Sequence, residues 1–281
     1  MKAVIFPGQG AQYQGMGANL FDQFPDLIAQ ADSLLGYSIR DLCINDPKQV
    51  LNNTLYSQPA LYTVNAMSYY EWADRTGEQP SYLAGHSLGE YNALLAAGAF
   101  DFVTGLKIVK KRAELMASCS GNYGMAAVLG LPAEETEAVI KDNQLEDLFI
   151  ANYNTNNQQV ISGSISSLQQ AEEIFYDNYA LNYVMLKVTG AFHSPYMDAA
   201  SSQFANFLSE FSFKMPTISV IANVTAKPYV ARDDIIPNLA NHINSPVQWL
   251  ESVRYLKQKN VKDFIELGGS KILTDMIKHI S

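Results

Sequence analysis

The sequence predicts an α/β fold in which a parallel β-sheet is flanked by helices and a small second subdomain is inserted. Short apolar strands alternate with helical patterns in the first and last parts of the chain, which favours a parallel sheet covered on both faces. Residues 124–188 have the order β-α-β-β-α-β, the ferredoxin-like pattern. This segment also carries nine acidic side chains against two lysines, which sets its charge apart. We therefore predict a large subdomain in two parts, residues 1–123 and 189–281, around a small one at 124–188.

The first part begins with the apolar strand Lys2–Phe6, which is ended by Pro7-Gly8. The strand is followed by a loop that contains several glycines and runs to Gly17. Mostly helical sequence then extends to Trp72. We then predict a strand at 81–84 and helices at 90–99 and 104–118. A glycine-rich break at 121–124 closes this part of the large subdomain.

The inserted segment and the last part continue the alternation of strands and helices. In the insert we predict strands at 125–129, 148–153, 158–162 and 183–188, and helices at 132–142 and 165–178. The last part has strands at 217–221 and 261–267 and a closing helix at 271–280. Between these strands, Ser245 and Pro246 predict a helix start, with serine as the N-cap and proline at the first helical position.

Composition excludes several classes of protein. There are 28 acidic against 19 basic residues, a formal charge of −9, which argues against nucleic-acid binding through a broad basic surface. The longest apolar run, 94–100, is too short to span a membrane, and the first residues lack the long apolar stretch of a signal peptide. Two cysteines, Cys43 and Cys119, are too few for a disulfide framework. We expect a soluble protein of the cytoplasm.

The segment Gly85-His86-Ser87-Leu88-Gly89 carries the clearest chemistry. A predicted strand precedes it and a predicted helix follows it, which is the context of a nucleophile elbow. Such a turn presents the serine oxygen at the start of a helix, where free N–H groups favour developing negative charge. The N–H of Leu88 would be one donor to an oxyanion. The alternative is a chance match in a structural turn.

A serine nucleophile needs a base, and the chain offers four histidines: His86, His193, His242 and His279. His86 adjoins the serine and would point away from it, so we expect a structural role. His193 lies just after the small subdomain returns to the large one, and a loop at such a junction is a natural wall of an active site. We therefore predict His193 as the base, against the alternative of a structural histidine.

Arg112 differs from its charged neighbours on the helix predicted at 104–118. At 100° per residue it falls among the apolar side chains, while Lys107, Lys110, Lys111 and Glu114 share another arc. A guanidinium there needs a partner or a cavity. It could be a clamp for an anionic substrate, because arginine matches a carboxylate with two parallel hydrogen bonds. A buried structural ion pair or a side chain that extends to solvent are the alternatives.

Two other kinds of site are not supported by the sequence. The loop Gly8-Gln9-Gly10-Ala11-Gln12-Tyr13 fails the dinucleotide spacing, because Tyr13 occupies the place of the third glycine. Such a loop can also direct a backbone N–H toward an oxyanion. The alternative is an ordinary turn between a strand and a helix. No zinc signature of the H-E-x-x-H or C-x-x-C kind occurs.

Together these residues resemble the malonyl-CoA:acyl carrier protein transacylases, and most closely the free-standing acyltransferases that serve trans-acyltransferase polyketide synthases. The resemblance covers nearly the whole chain. It rests on Phe6-Pro7-Gly8-Gln9-Gly10, Gln58-Pro59-Ala60, Gly85-His86-Ser87-Leu88-Gly89-Glu90, Lys111-Arg112-Ala113-Glu114-Leu115-Met116, Ala191-Phe192-His193-Ser194, Asn223-Val224-Thr225 and Ser245-Pro246-Val247-Gln248-Trp249. The fold that it implies is a hydrolase-like α/β domain with a ferredoxin-like insert.

The resemblance also implies a role for each matching residue. Ser87 would be the nucleophile and His193 its base, and Gln9 and Leu88 would give backbone N–H groups to the oxyanion. Gln248 would orient the His193 ring through its backbone carbonyl, and Arg112 would pair with the free carboxylate of a malonyl group. Phe192 would crowd an α-methyl group and so favour malonyl over methylmalonyl. The chain departs from many malonyl-selective members at Gly190, where they have histidine.

The resemblance implies a ping-pong malonyltransferase for polyketide or fatty acid synthesis. Its partners would be malonyl-CoA and an acyl carrier protein, with no metal or other cofactor, and we expect a monomer. An editing acyl hydrolase of the same family is the first alternative, although a carboxylate clamp would not serve monoacyl chains. An ordinary esterase would place its acid and its histidine late in the chain. A catalytically silent scaffold would not need Ser87, His193 and Arg112 together.

Overall fold

The computed structural model describes residues 1–119 and 121–281. A four-stranded parallel sheet has the order β7-β2-β1-β8. Its strands are β1 (Lys2–Phe6), β2 (Tyr82–Gly85), β7 (Ser219–Ile221) and β8 (Asp263–Glu266). Alternate residues of β1 enter different apolar clusters: Val4 and Phe6 pack on one face, and Ala3 and Ile5 on the other. The parallel sheet is therefore buried on both faces, as predicted.

Helices cover both faces of this sheet. They are α1 (Pro25–Leu35), α2 (Ile39–Ile44), α3 (Thr54–Thr76), α4 (Gly89–Ala96), α5 (Phe102–Ser118), α8 (Asp198–Leu208), α9 (Ile235–Asn241), α10 (Trp249–Gln258) and α11 (Ile272–Lys278). Helix α5 packs against α3 and α8, and α4 packs against β1 and β2. This arrangement brings the start of α4 and the buried side of α5 to the carboxyl ends of the central strands, where open α/β sheets form their sites.

The second sheet is antiparallel, with the order β4-β5-β3-β6. Its elements are β3 (Tyr123–Leu129), α6 (Ala133–Asp142), β4 (Phe149–Thr155), β5 (Gln158–Ser164), α7 (Ile165–Asp177) and β6 (Asn182–Met185). They have their own apolar core, which includes Val128, Ile161 and Phe175. The predicted fold class is confirmed, and all eight predicted strands are present. The division at residues 124 and 188 stays a prediction.

The predicted helix start at Ser245-Pro246 is wrong. Helix α10 begins at Trp249, and Val247 lies extended beside β4. The Val247 N–H donates to the Ala151 carbonyl at 2.9 Å, and its own carbonyl accepts from the Tyr153 N–H at 3.0 Å. Pairing with the edge of the second sheet therefore overrides the local capping preference.

Candidate active site

The turn between β2 and α4 holds Ser87 in an unusual backbone conformation. Its φ is 49°, in the left-handed region that non-glycine residues seldom adopt. The turn is tight, because a Cβ on Gly85 would lie 1.9 Å from the carbonyl carbon of Gly89. A glycine is therefore required at position 85, as the nucleophile elbow predicts.

His193 meets Ser87 from a loop that follows the second sheet. Its Nε2 lies 2.9 Å from the Ser87 Oγ, although the two residues are 106 positions apart in the sequence. The His193 Nδ1 faces the backbone carbonyl of His242 at 2.7 Å. Because a carbonyl can only accept, Nδ1 carries the proton and Nε2 is left to accept from the serine hydroxyl. The structure thus brings the predicted nucleophile and the predicted base into hydrogen-bonding contact.

The prediction for Gln248 is wrong, because its carbonyl does not reach the His193 ring. That carbonyl accepts from the Ser252 N–H at 2.9 Å and from the Ser252 Oγ at 2.7 Å, within the first turn of α10. His242 provides the orienting carbonyl instead. The chain turns back to His193 at the end of α9, before it reaches Gln248, and the His193 N–H also donates to Ile243 there, at 3.0 Å.

The His193 imidazole is neutral at ordinary pH. It is 4% exposed, and burial together with the nearby Arg112 charge lowers its pKa from 6.5 to about 3. His86, in contrast, contacts Asn154 through Nε2 at 2.8 Å and packs its ring against Trp249. It lies beside the cavity without a hydrogen bond to Ser87 in the described part of the chain.

Arg112 lies within the site and is 1% exposed. Its Nη1 donates to Gln58 Oε1 at 2.7 Å, and its Nη2 donates to Ser87 Oγ at 3.1 Å. The guanidinium carbon also lies 5.4 Å from the centre of the Tyr91 ring. Within residues 1–119 and 121–281, no carboxylate oxygen lies within 4.0 Å of it. Burial excludes a side chain that extends to solvent, and the predicted alternative of a structural ion pair has no partner in that part of the chain.

The segments that hold Gln9 and Leu88 come close to each other at the elbow, because a Cβ added to Gly8 would lie 3.4 Å from the Leu88 N. Gly8 passes so close to the elbow that an added Cβ would lie 2.3 Å from the His86 carbonyl oxygen. The Gln9 side chain anchors this loop by donating to Thr54 Oγ1 at 3.0 Å. Leu88 is the N-cap of α4. Neither backbone N–H has an acceptor among the described residues, so both can serve an oxyanion.

A cavity of about 250 Å³ opens above these groups. Ser87, Arg112 and His193 lie in its wall beside Phe192, and its other side chains are mainly apolar, including Met116, Met125 and Val160. The Phe192 ring is seated against Gly190, where an added Cβ would lie 2.6 Å from the ring. A small acyl group fits this space, with its reactive carbon at Ser87 and any anionic end toward Arg112.

Residues 1–119 and 121–281 show neither a metal-binding cluster nor a membrane-spanning helix. No group of three or more histidine, cysteine, aspartate or glutamate side chains is arranged there to hold a metal ion. No helix in that part of the chain is long and apolar enough to cross a membrane.

Sequence reasoning missed three residues that support the site. Gln58 holds Arg112, the His242 carbonyl holds His193, and Asn223 contacts the backbone of Ser87. Gln58 and Asn223 stand in the motifs quoted above without a role, and each is a polar residue in an apolar context, which is a usable indication. The His242 contact is made by a backbone carbonyl, which every residue has, so no residue type in the sequence indicates it.

The arrangement is suited to acyl transfer through a serine ester. It combines a nucleophile, a neutral base with an oriented ring, two free N–H donors and a buried cation beside the nucleophile. The first three stabilise attack on a carbonyl carbon. A buried cation at this place is suited to an acyl group with a second, negatively charged end.

Comparison with known proteins gives the same description. The acyl transferase domain family matches residues 4–279 of this chain. The chain is 48% identical over 281 residues to a protein of Bacillus subtilis (strain 168) named polyketide biosynthesis malonyl CoA-acyl carrier protein transacylase PksC. This similarity covers 100% of the chain and 97% of the relative.

Solved structures share the fold over the whole chain. The crystal structure of a malonyl CoA-acyl carrier protein transacylase from Burkholderia pseudomallei matches with a TM-score of 0.95 and 46% identity, covering 100% of this chain and 97% of that one. A transacylase solved as "type II PKS acyl-carrier protein in complex with its malonyl-transacylase" also matches with a TM-score of 0.95, at 32% identity. That match covers 99% of this chain and 92% of the other.

Proposed function

The chain belongs to the acyl transferase family, and on that premise we propose that it moves a malonyl group from malonyl-CoA to the phosphopantetheine thiol of an acyl carrier protein. The observation that carries the proposal is the buried Arg112 guanidinium, which donates to Ser87 Oγ and has no carboxylate partner among the described residues. A nucleophile beside a buried cation without a direct carboxylate contact suits an acyl group that ends in a carboxylate.

The first half-reaction forms a serine ester. Ser87 Oγ attacks the thioester carbon while His193 Nε2 takes the hydroxyl proton, and the carbonyl oxygen becomes an oxyanion held by the N–H groups of Gln9 and Leu88. The carbon–sulfur bond then breaks, and the CoA sulfur leaves with the proton from His193. The products of this half-reaction are free CoA and malonyl-Ser87.

The second half-reaction runs the same steps in reverse with another thiol. The carrier's phosphopantetheine thiol gives its proton to His193 and attacks the ester carbon. The bond to Ser87 Oγ breaks, and the serine regains its proton from His193. Kinetics are ping-pong, because CoA leaves before the carrier thiol reacts.

Arg112 and Phe192 set the choice of acyl group. The malonyl carboxylate takes two hydrogen bonds from the Arg112 guanidinium, so that Nη2 turns from Ser87 Oγ to the substrate. Phe192 limits the room beside the α-carbon. A partner carrier is supported by the solved relative bound to an acyl-carrier protein, and a role in polyketide biosynthesis by the name of the Bacillus relative. The proposal further includes that the protein acts as a monomer in the cytoplasm and needs no metal or other cofactor.

Intact-protein mass spectrometry tests this function directly. The protein is exposed briefly to malonyl-, methylmalonyl- or acetyl-CoA, and a phosphopantetheinylated carrier protein is then added, with Ser87→Ala as the control. We expect a malonyl adduct that is absent from the control and moves to the carrier. An adduct from monoacyl chains that decays to free acid with or without carrier would indicate an editing hydrolase instead. No adduct from any thioester would contradict the assignment of Ser87.

A further inference from the structure

Four buried polar side chains lie next to the turn that holds the nucleophile, and the reaction steps above do not use these side chains. They are Glu90, Asn223, Tyr229 and His242, which are 1%, 3%, 5% and 0% exposed. Such groups are costly to bury unless they satisfy one another. Their contacts lead to the backbone of the elbow.

The Asn223 side chain spans the elbow through two hydrogen bonds. Its Oδ1 accepts from the Ser87 N–H at 2.9 Å, and its Nδ2 donates to the Gly85 carbonyl at 2.7 Å. An N–H needs an acceptor and a carbonyl needs a donor, so these two partners determine which way the amide faces. Asn223 is 136 residues from Ser87 in the sequence, in the loop after β7.

Glu90 holds this amide from the other side. Its Oε2 accepts from the Asn223 N–H at 2.8 Å and from Nδ2 at 2.5 Å. Its Oε1 accepts from the Tyr229 hydroxyl. Both Nδ2 hydrogens are therefore used, one by Gly85 and one by Glu90, which removes the freedom of the amide to flip.

We propose that Asn223 is a positioning residue for the nucleophile, and that Glu90 locks Asn223 in the one orientation that serves it. Ser87 holds a φ of 49°, which costs about 1 kcal/mol or more for a residue with a side chain and persists only where its surroundings enforce it. Hydrogen bonds on both sides of the turn, at Gly85 O and Ser87 N, supply that constraint. The conformation in turn places Oγ 2.9 Å from His193 Nε2.

Replacement of Asn223 by aspartate tests the proposal, because it should produce a pH dependence of Ser87 reactivity that a merely structural role would not produce. An oxygen then replaces Nδ2 and faces both Gly85 O and Glu90 Oε2. The two carboxyl groups must share a proton to coexist there, as like charges in contact do. The other titratable or charged groups around Glu90 are Tyr229, Tyr91, His242 and Arg112. Asn223→Asp therefore keeps the elbow in place at low pH and loses it as the shared proton leaves.

The experiment measures how fast Ser87 reacts with a fluorophosphonate, a neutral probe that forms an Oγ–phosphorus bond and expels fluoride. Malonyl loading from malonyl-CoA is measured in parallel. Asn92→Ala is the matched control, because Asn92 is an equally buried asparagine on α4 that contacts Asn65 and Tyr62 rather than Ser87. Circular dichroism and thermal unfolding report whether each variant folds.

We expect Asn223→Ala to lower labelling and kcat by about 10- to 100-fold, with KM for malonyl-CoA changed less than about twofold. Asn92→Ala should keep labelling within about threefold of the wild type, although it also loses buried hydrogen bonds. The ratio of Asn223→Asp to wild-type labelling should fall as pH rises from 6 to 9, whereas that of Asn223→Ala should stay flat. Glu90→Gln retains an acceptor for Asn223 and should label faster than Glu90→Leu.

Three results would overturn the proposal: equal losses in Asn223→Ala and Asn92→Ala, a flat pH ratio for Asn223→Asp, or equal labelling of Glu90→Gln and Glu90→Leu. The positioning role of Asn223 rests on the proposed function only where malonyl loading is the quantity measured. If fluorophosphonate labelling follows the expected pattern while no malonyl group reaches a carrier, the positioning role stands and the proposed function fails.

Discussion

At the scale of single residues, Ser87 Oγ is shared between a base and a cation. It contacts His193 Nε2 at 2.9 Å and accepts from Arg112 Nη2 at 3.1 Å. The second contact draws electron density away from the nucleophile. On the proposed mechanism, a substrate carboxylate competes for Arg112 and so frees Ser87 for attack. Arg112 would then affect both which acyl group binds and how readily the serine reacts.

Arg112→Ala should abolish the preference for malonyl-CoA. The malonyl carboxylate would lose its charge-assisted partner inside a mainly apolar cavity, so malonyl loading should fall by at least about 100-fold while some acetyl loading remains. The measurement is the ratio of malonyl to acetyl adduct on Ser87 by intact mass. Arg75→Ala, at an exposed arginine that pairs with Glu71, is the control. An unchanged ratio in Arg112→Ala would refute the clamp.

The same substitution should change the pH dependence of the base. As the proposed base, His193 would act when neutral, so loading should be present above its pKa and be lost as pH falls through it. That pKa is about 3 in the wild type, and the Arg112 charge is one of the causes of its depression. Removal of the charge raises the pKa, so the acid limb of acetyl loading should move to higher pH in Arg112→Ala. Burial remains, and the limb should stay below pH 6.5. A limb that does not move would contradict the coupling.

Much of this residue-scale arrangement could be predicted from the sequence, because it follows from local pattern. The strand and helix around Ser87 indicate an elbow, and the helical periodicity separates Arg112 from the lysines. The orienting carbonyl could not be predicted, because any residue can supply one and the turn after α9 decides which does. Asn223 and Gln58 make their contacts over 136 and 54 residues of sequence, which no local pattern records.

At the scale of elements, the turn from β2 to α4 is sterically specified. The turn brings Gly85 against the first residue of α4, so the strand and the helix can meet at this angle only without a side chain there.

The failed prediction of a helix start at Ser245-Pro246 arises from long-range contacts instead of local sterics. Its capping pattern is sound locally, but the free edge of β4 offers backbone partners to Val247 and takes that residue out of the helix.

Gly85→Ala should abolish loading and destabilise the fold. The added Cβ would lie 1.9 Å from backbone, which cannot be relieved by a side-chain rotation. We expect a loss of about 3 kcal/mol in the free energy of unfolding, measured by urea denaturation. Gly124→Ala is the control, because its Cβ would meet only ordinary contacts, the nearest at 3.5 Å. Equal stability of the two variants would contradict the packing argument.

At the scale of the whole molecule, the segment from His242 to Gln248 joins the parts of the site. It bonds to His193 through the carbonyls of His242 and Ile243, to β4 through Val247, and to Asn223 through the Gln248 N–H at 2.9 Å. The second sheet is thus fastened to the segment that orients the base. The alternation of strands and helices predicts the two sheets, but this connection between them emerges only from the folded chain.

The buried Glu90 should make global stability fall with rising pH. Burial raises its pKa from 4.5 to about 7, so its contribution is present in full below pH 4.5 and is lost as pH rises through 7. The loss amounts to about 3 kcal/mol. Urea unfolding at pH 5 and pH 8 should show this decline in the wild type, and Glu90→Gln should lack that part of it. An equal decline of the free energy of unfolding in the wild type and in Glu90→Gln would show that another group titrates.

The backbone angles at the reacting pair have an evolutionary consequence. Ser87 and His193 have φ values of 49° and 60°, which glycine adopts more readily than either residue. Replacement by glycine would remove the chemistry and ease the backbone at once. Backbone strain alone therefore gives no reason to keep serine and histidine at these positions, whereas the proposed reaction does. Descendants that lost the activity are expected to reveal it by glycine at one of these two positions, in an otherwise intact fold.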